Sequence, residues 1–314
     1  MTEDSLRAEL RDHIRVALAI GADDFDAVVA ASVDRFDRGA QAHATAAEIA
    51  AEEFAAYRSE QGTWPDVLDS DRLVRAFRAL DVSGVVARVD FTCCQSCGTA
   101  EIRAEVPEGA VARGYAFCHR QDIEAGVRGA GLHVSYGAFA PGEGPAGAVE
   151  IGREVVTALR EHGLTAHWDG DAARRIHVPL TWRRRRFGRL AAWPGATEPA
   201  GAGPLTVTSY DHVRRTEDQA VPVSFEEGRQ RLLDLTPRDG NFVAFEGRSG
   251  RVLQAMWQAG PRLWLESPDV AARCSRGRHV TLDEAEELLR VLATEGRLAL
   301  DRLGDLQTVA WSAG

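Results

Sequence analysis

The apolar spacing of this chain changes period near residue 83, and that change decides what it can fold into. Before it, Leu6, Leu10, Ile14, Ala17 and Leu18 recur at intervals of three and four, the spacing of one helix face. Three more helices are expected up to residue 80. Phe25–Phe36 has Asp23, Asp24 and Asp26 about its first turn, where they suit the helix dipole. His43–Ser59 carries Ile49, Phe54 and Tyr57 and is closed by Trp64-Pro65. Asp69–Leu80 has Asp69 or Ser70 as N-cap. After residue 83 the pattern is that of short strands between short helices. Strands are predicted at Val85–Phe91, Tyr115–His119 and Leu132–Tyr136, with a helix at Asp122–Val127. A Gly/Pro-rich loop spans 140–147, a helix Val149–His162 ends on Gly163, and strands Thr165–Trp168 and Arg175–Leu180 flank an Asp169-Gly170 turn.

Arg183–Arg186, Trp193-Pro194-Gly195 and Gly201–Pro204 punctuate the next stretch, the composition of a domain boundary. Beyond it, Leu205–Tyr210, Phe242–Phe245, Val252–Trp257 and Leu263–Glu266 read as strands. Ser224 opens a helix through Leu235, and Thr281-Leu282-Asp283-Glu284 is a capping box opening another to Thr294. The expected fold class is therefore α/β and α+β. A helical N-terminal segment sits on a mixed α/β domain (1–186), followed by a linker (187–204) and a smaller α+β domain (205–314).

All 37 basic residues are arginine. Without a lysine amine the chain has no Schiff-base chemistry and no Gly-Lys-Ser/Thr phosphate loop. A net charge of −10 argues against a general nucleic-acid or anionic-membrane binder. The acidic start, Met1-Thr2-Glu3-Asp4, has neither the basic nor the apolar region of a secretory signal. No apolar run approaches the ~20 residues of a membrane span. A soluble, cytoplasmic protein is expected.

Four of the five cysteines, Cys93, Cys94, Cys97 and Cys118, fall within 26 positions, a pattern that in a reducing compartment suggests metal, redox or catalytic use, or plain burial. Cys94-x-x-Cys97-Gly98 has zinc-knuckle spacing, with Gly98 relieving the backbone. Neighbours in a strand face opposite ways, so only one of Cys93 and Cys94, and one of Cys118 and His119, reaches a shared ion easily. The set drawn from this is Cys94, Cys97, Cys118 and His119, with Cys93 or His133 as substitutes for the last, holding a structural zinc. The same residues allow a Cys–His nucleophile, Cys97 or Cys118 beside His119 or His133. They also allow small buried thiols with no chemistry.

Other motifs carry less. Gly142-x-Gly144-x-x-Gly147 has the dinucleotide-loop pattern, broken by Pro141 and Pro145. No cofactor of that kind is expected. Arg183–Arg186 reads as a solvated linker face. Histidines 13, 43, 162, 212 and 279 fall in no metal or catalytic pattern.

Gly114–Asp122, Gly131–Gly137, Ile151–Val156, His167–Gly170, Arg174-Arg175-Ile176 and Trp182-Arg183-Arg184 resemble a bacterial domain-of-unknown-function family, number 6891, over about residues 80–186. The resemblance implies no activity. Val252–Trp257, Leu263–Glu266 and the helix Thr281–Leu292 with its tail to Trp311 resemble immunity proteins of polymorphic-toxin systems. That likeness implies a non-catalytic α+β protein binding another protein, with Trp257 or Trp264 as exposed anchors. The resulting expectation is a non-catalytic binding or regulatory protein with a structural zinc. The alternative is an enzyme using Cys97, Cys118 and His119.

Overall fold

The apolar stripes of the first 80 residues become four helices, α1 (Glu3–Ile20), α2 (Phe25–Phe36), α3 (Ala40–Gln61) and α4 (Asp69–Val82). The structure is a computed structural model that describes residues 3–36, 40–106, 109–139, 144–196, 203–212, 216–258 and 260–311. The chain continues as β1 (Val85–Arg88), α5 (Gln95–Glu101), β2 (Gly114–Phe117), α6 (Arg120–Val127), β3 (Leu132–Ala138), α7 (Gly144–Glu161), β4 (Ile176–Val178) and α8 (Gly188–Ala191). Then come β5 (Leu205–Asp211), β6 (Thr216–Val223), α9 (Phe225–Asp234), β7 (Phe242–Gly247), β8 (Val252–Gln258), β9 (Arg262–Asp269), β10 (Cys274–Val280), α10 (Leu282–Glu295) and β11 (Gln307–Ala310). The fold is mixed α/β, with a four-stranded sheet in the order β1-β2-β3-β4 and a seven-stranded sheet in the order β11-β10-β9-β8-β7-β5-β6.

Backbone contacts divide the chain into two compact units. One is Met1–Ala76, Arg88–Ala100 and Ala116–Pro199, and the other is Phe77–Ala87, Glu101–Tyr115 and Ala200–Gly314. In the first, Leu10, Ile14 and Leu18 of α1, Val28 and Val29 of α2, and Ile49, Ala50 and Phe54 of α3 form one buried cluster. Arg15 of α1 reaches the buried Glu53 of α3 at 2.7 Å.

The arginine run is not a solvated face. Its side chains alternate between buried and half-buried, and Arg184 and Arg186 are 6% and 0% exposed. An extended segment lying against α3 and α4 explains this. Tyr57 donates to the Arg184 carbonyl at 2.7 Å, Ser70 to the Arg183 carbonyl at 2.6 Å, and Arg185 to the Pro65 carbonyl at 2.5 Å. Arg186 turns its guanidinium inward, donating to the carbonyls of Leu190 at 2.6 Å, Leu18 at 3.1 Å and Asp23. It also lies 4.8 Å over the Phe54 ring. Burial draws its pKa down to about 10, so it stays charged at neutral pH.

In the second unit the large sheet is antiparallel throughout. Val207, Val243, Phe245, Leu253, Ala255, Trp257, Leu263 and Leu265 point to one face, where Leu232 of α9 and Leu288, Leu289 and Leu292 of α10 cover them. This one-sided burial is what alternating strands specify. Trp264 belongs to the other face, yet its ring is covered edge-on by His279, centroids 5.1 Å apart. The exposed anchors expected at Trp257 and Trp264 are therefore not there: the residues are 2% and 3% exposed. Their indole N–H groups are occupied by the Leu235 carbonyl at 3.0 Å and the Glu266 carboxylate at 2.7 Å. At the sheet's end all four residues of β11 are exposed. Trp311 beyond it donates from its backbone to Arg273 and from its ring to Ser275, both at 2.9 Å.

Arg186→Met should lower the stability of the chain by about 1–3 kcal/mol, because the buried Leu18 carbonyl and two more accessible ones lose a charged donor. Urea denaturation followed by circular dichroism measures it.

Candidate metal centre

The first strand stops at Arg88, earlier than its apolar run suggests, and the residues after it turn. Asp90 and Thr92 are left-handed, with φ of +55° and +59°, a conformation costing a non-glycine residue roughly 1–2 kcal/mol. The loop is tied down on both sides of that turn. Phe91 N–H donates to the Cys118 carbonyl at 3.0 Å, and Arg120 N–H to the Thr92 carbonyl at 3.1 Å. Arg120 also pairs with the Asp90 carboxylate at 2.8 Å.

The turn removes the strand alternation that would have separated Cys93 from Cys94. The ligand atoms of Cys93, Cys94 and Cys97 all lie within 4.8 Å of one another, and the Cys93 and Cys97 sulfurs are 3.6 Å apart. Cys93 is exposed and the other two are half-buried. No other trio of His, Cys, Asp or Glu ligand atoms among the described residues gathers this closely.

Gly98 sets the position of the helix that carries Cys97. A Cβ there would meet the Phe117 ring at 2.4 Å, so α5 lies directly on an aromatic floor whose other edge is Phe91, centroids 5.9 Å away. Gly98 is not among the left-handed glycines. The knuckle role expected of it, relief of the backbone, is replaced by close packing.

Of the expected set, Cys94 and Cys97 join this group, with Cys93 as the third member. Cys118 and His119 are not members of it. Cys118, just after β2, is fully buried, and that burial pushes its thiol far above its ordinary value. His119 is held by Asp122, Nε2 to Oδ2 at 3.2 Å, and its backbone N–H donates to the same carboxylate at 3.0 Å. Burial lowers the His119 pKa, with Asp122 opposing. Arg175 completes this buried corner, donating to Asp122, to Ser135 Oγ at 2.9 Å and to the His133 carbonyl at 2.7 Å. The nucleophile reading fails here for Cys118, because a thiol with no exposure and a raised pKa supplies no thiolate.

The exposed thiols differ among themselves. The Cys97 backbone N–H, then the Cys97 and Cys93 thiols, stabilise the Cys94 thiolate and lower its pKa. Cys97, hydrogen-bonded to Cys93 and Cys94, is pushed up to about 11. Of the glycine motif, Gly144 and Gly147 lie inside α7 rather than in a phosphate-cradling loop, and Gly142 is outside the described residues. No described helix is long and apolar enough to cross a membrane.

The profile of a family described as Domain of unknown function (DUF6891) matches residues 3–186. The chain belongs to the DUF6891 family. The match reaches from the first helix through the arginine run, so it takes in the thiol trio, the Asp122–Arg175 corner and the segment held by Arg186. No curated protein and no solved structure matches the chain.

Two outcomes follow for this DUF6891 member. Gly98→Ala should cost about 1–3 kcal/mol by overpacking, with part of the loss recovered when Phe117 is changed to Leu in the same chain; thermal denaturation of the single and double variants measures the coupling. In metal-free protein at pH 8, iodoacetamide should modify Cys94 first, because its lowered pKa leaves the larger thiolate fraction. Cys97 should stay slow until the pH nears 11, and Cys118 should react only on unfolding. Peptide mass mapping across pH reads the order.

Proposed function

We propose that this chain is a metal-binding protein whose Cys93, Cys94 and Cys97 thiolates hold one zinc ion. The observation that carries this reading is the sulfur spacing. Two thiolates on a tetrahedral zinc, at about 2.3 Å each, stand roughly 3.8 Å apart. The 3.6 Å between Cys93 and Cys97 is close to that edge before any ion draws them in.

The backbone supports the same reading. Two left-handed non-glycine residues within three positions are a cost that a loop bears when its geometry has a use, and a metal–thiolate trio offsets it. Gly98 against Phe117 fixes α5, so Cys97 is placed without the ion. Three sulfurs leave the fourth tetrahedral position to water or an incoming donor, whereas a closed structural site takes four protein ligands. The zinc therefore orders the loop after β1 while keeping one position for exchange. Soft sulfur donors select zinc or Cu(I) over magnesium or calcium.

Metal analysis of the purified protein, paired with cobalt substitution, tests this. The expected result is one zinc per chain, and on cobalt replacement the visible bands of a tetrahedral sulfur-ligated ion. Cys97→Ser should lose both, and Cys118→Ala should keep both. A protein with no bound metal, all three surface thiols free and no cobalt spectrum sinks the proposal. Loss of metal in Cys118→Ala, with the variant still folded, would restore the four-ligand set that includes Cys118 and His119.

A further inference from the structure

A second group of metal-ligating side chains lies on the small sheet. We propose that His133 of β3 and His177 of β4 form a two-imidazole clamp for a borderline divalent transition-metal ion.

The placement comes from strand register. His133 and His177 are direct cross-strand partners. On its other side His177 exchanges both backbone hydrogen bonds with His167, at 2.8 and 3.0 Å. A strand residue sends its N–H and C=O to the same side. Toward β3, His177 is therefore at a non-hydrogen-bonded position, where Cα atoms stand only about 4.5 Å apart and side chains lie nearest. The two rings have centroids 5.0 Å apart and are tilted by 41°. Two imidazoles on one tetrahedral ion, with nitrogen–metal bonds of about 2.0–2.1 Å, bring their centroids to roughly 5 Å.

A second observation concerns the tautomer. His177 Nε2 lies 3.2 Å from the Ala130 carbonyl, which accepts only from a protonated nitrogen. That bond puts the ring proton on Nε2 and leaves the lone pair on Nδ1. A ligating histidine is ordinarily oriented in this way, its second nitrogen donating to a carbonyl or carboxylate. The neighbouring backbone makes room for it. At Gly131, φ +74°, a Cβ would come within 2.5 Å of His177 Nε2, so only glycine lets the ring lie against that turn. His133 is exposed and His177 half-buried, open to an ion from solvent. The guanidinium of Arg175 beside the His133 backbone pairs with the Asp122 carboxylate.

His167 is not part of the clamp. Its ring lies 6.0 Å from His177 on the far flank, nearly parallel at 19°, and so does not converge with it on an ion. Imidazole pairs suit zinc, nickel and copper rather than magnesium or calcium, and two protein ligands leave the remaining positions to water or a bound chelate.

Nickel titration by calorimetry tests the clamp in a chain with Cys93, Cys94 and Cys97 all changed to Ser, which removes the thiol site. One equivalent of Ni2+ should bind, and His133→Asn or His177→Asn should weaken it by at least about tenfold. His167→Asn should leave it unchanged. No binding up to millimolar Ni2+, or binding in the His133 and His177 variants as tight as in their parent chain, overturns the proposal. If the triple-serine chain does not fold, the same histidine changes are read in otherwise wild-type protein given one equivalent of zinc, which the three thiolates take first. There a tenfold loss supports the clamp and unchanged nickel affinity overturns it. Thiol-bound zinc retained in His177→Asn separates the two sites.

Discussion

A guanidinium with no exposed surface organises the N-terminal helices. Arg186 gives its hydrogen bonds to carbonyls of Leu18, Asp23 and Leu190 and its flat face to Phe54. Leu18 is the C-terminal part of α1, Asp23 lies in the turn before α2, and Phe54 belongs to α3. One side chain thus joins three helices that also meet through an apolar cluster and through Arg–Glu pairs between α1 and α3. A buried charge is expensive unless its donors are used, and here carbonyls at helix ends, which need donors in any case, take them. The residues before Arg186 are sewn to α3 and α4 by Tyr57, Ser70 and Arg185. The segment after β4 is a structural belt of its unit.

The thiol trio depends on a different device, the removal of strand geometry at the point where chemistry is wanted. An unbroken strand would send Cys93 and Cys94 to opposite faces. Left-handed Asp90 and Thr92 end it, and the loop is then held from its backbone to Cys118 and Arg120. Cys118 therefore contributes its carbonyl rather than its sulfur to the site. The buried Asp122–Arg175–His119 corner fixes the start of α6, next to the residue that holds the loop.

Much of this was legible in the sequence, for identifiable reasons. The helical segments carry their own apolar stripes and caps, and the Ser224 and Thr281 caps appear where the residues require them. Three strands were not readable. β6 contains Glu217, Asp218 and Pro222, β10 contains Arg276, Gly277 and Arg278, and β11 has four residues. None shows the apolar alternation of a one-sided strand, and β10 is a strand because its register with β9 makes it one. The same division holds for the sites. Cys94 and Cys97 are visible from their spacing, whereas the inclusion of Cys93 rests on two backbone angles that side-chain chemistry does not encode. The pairing of His133 with His177 is a matter of register between distant segments. Arginine in a run beside Pro and Gly reads as solvated, and only the tertiary environment of Arg186 reverses that.

The exposed strand at the end of the large sheet has a consequence of another kind. β11 contributes no buried side chain, so hydrophobic gain is a small part of what holds its place. What it does is occupy the outer backbone groups of β10 from Cys274 to Gly277. Bare, that seven-residue border would offer a row of open amides and carbonyls to any extended peptide, the template from which aggregates grow. Four residues of cover, fastened by Trp311 to Arg273 and Ser275, exchange a long sticky border for a short one. The tail thus protects the solubility of the sheet more than its stability, and trimming it would show first as self-association.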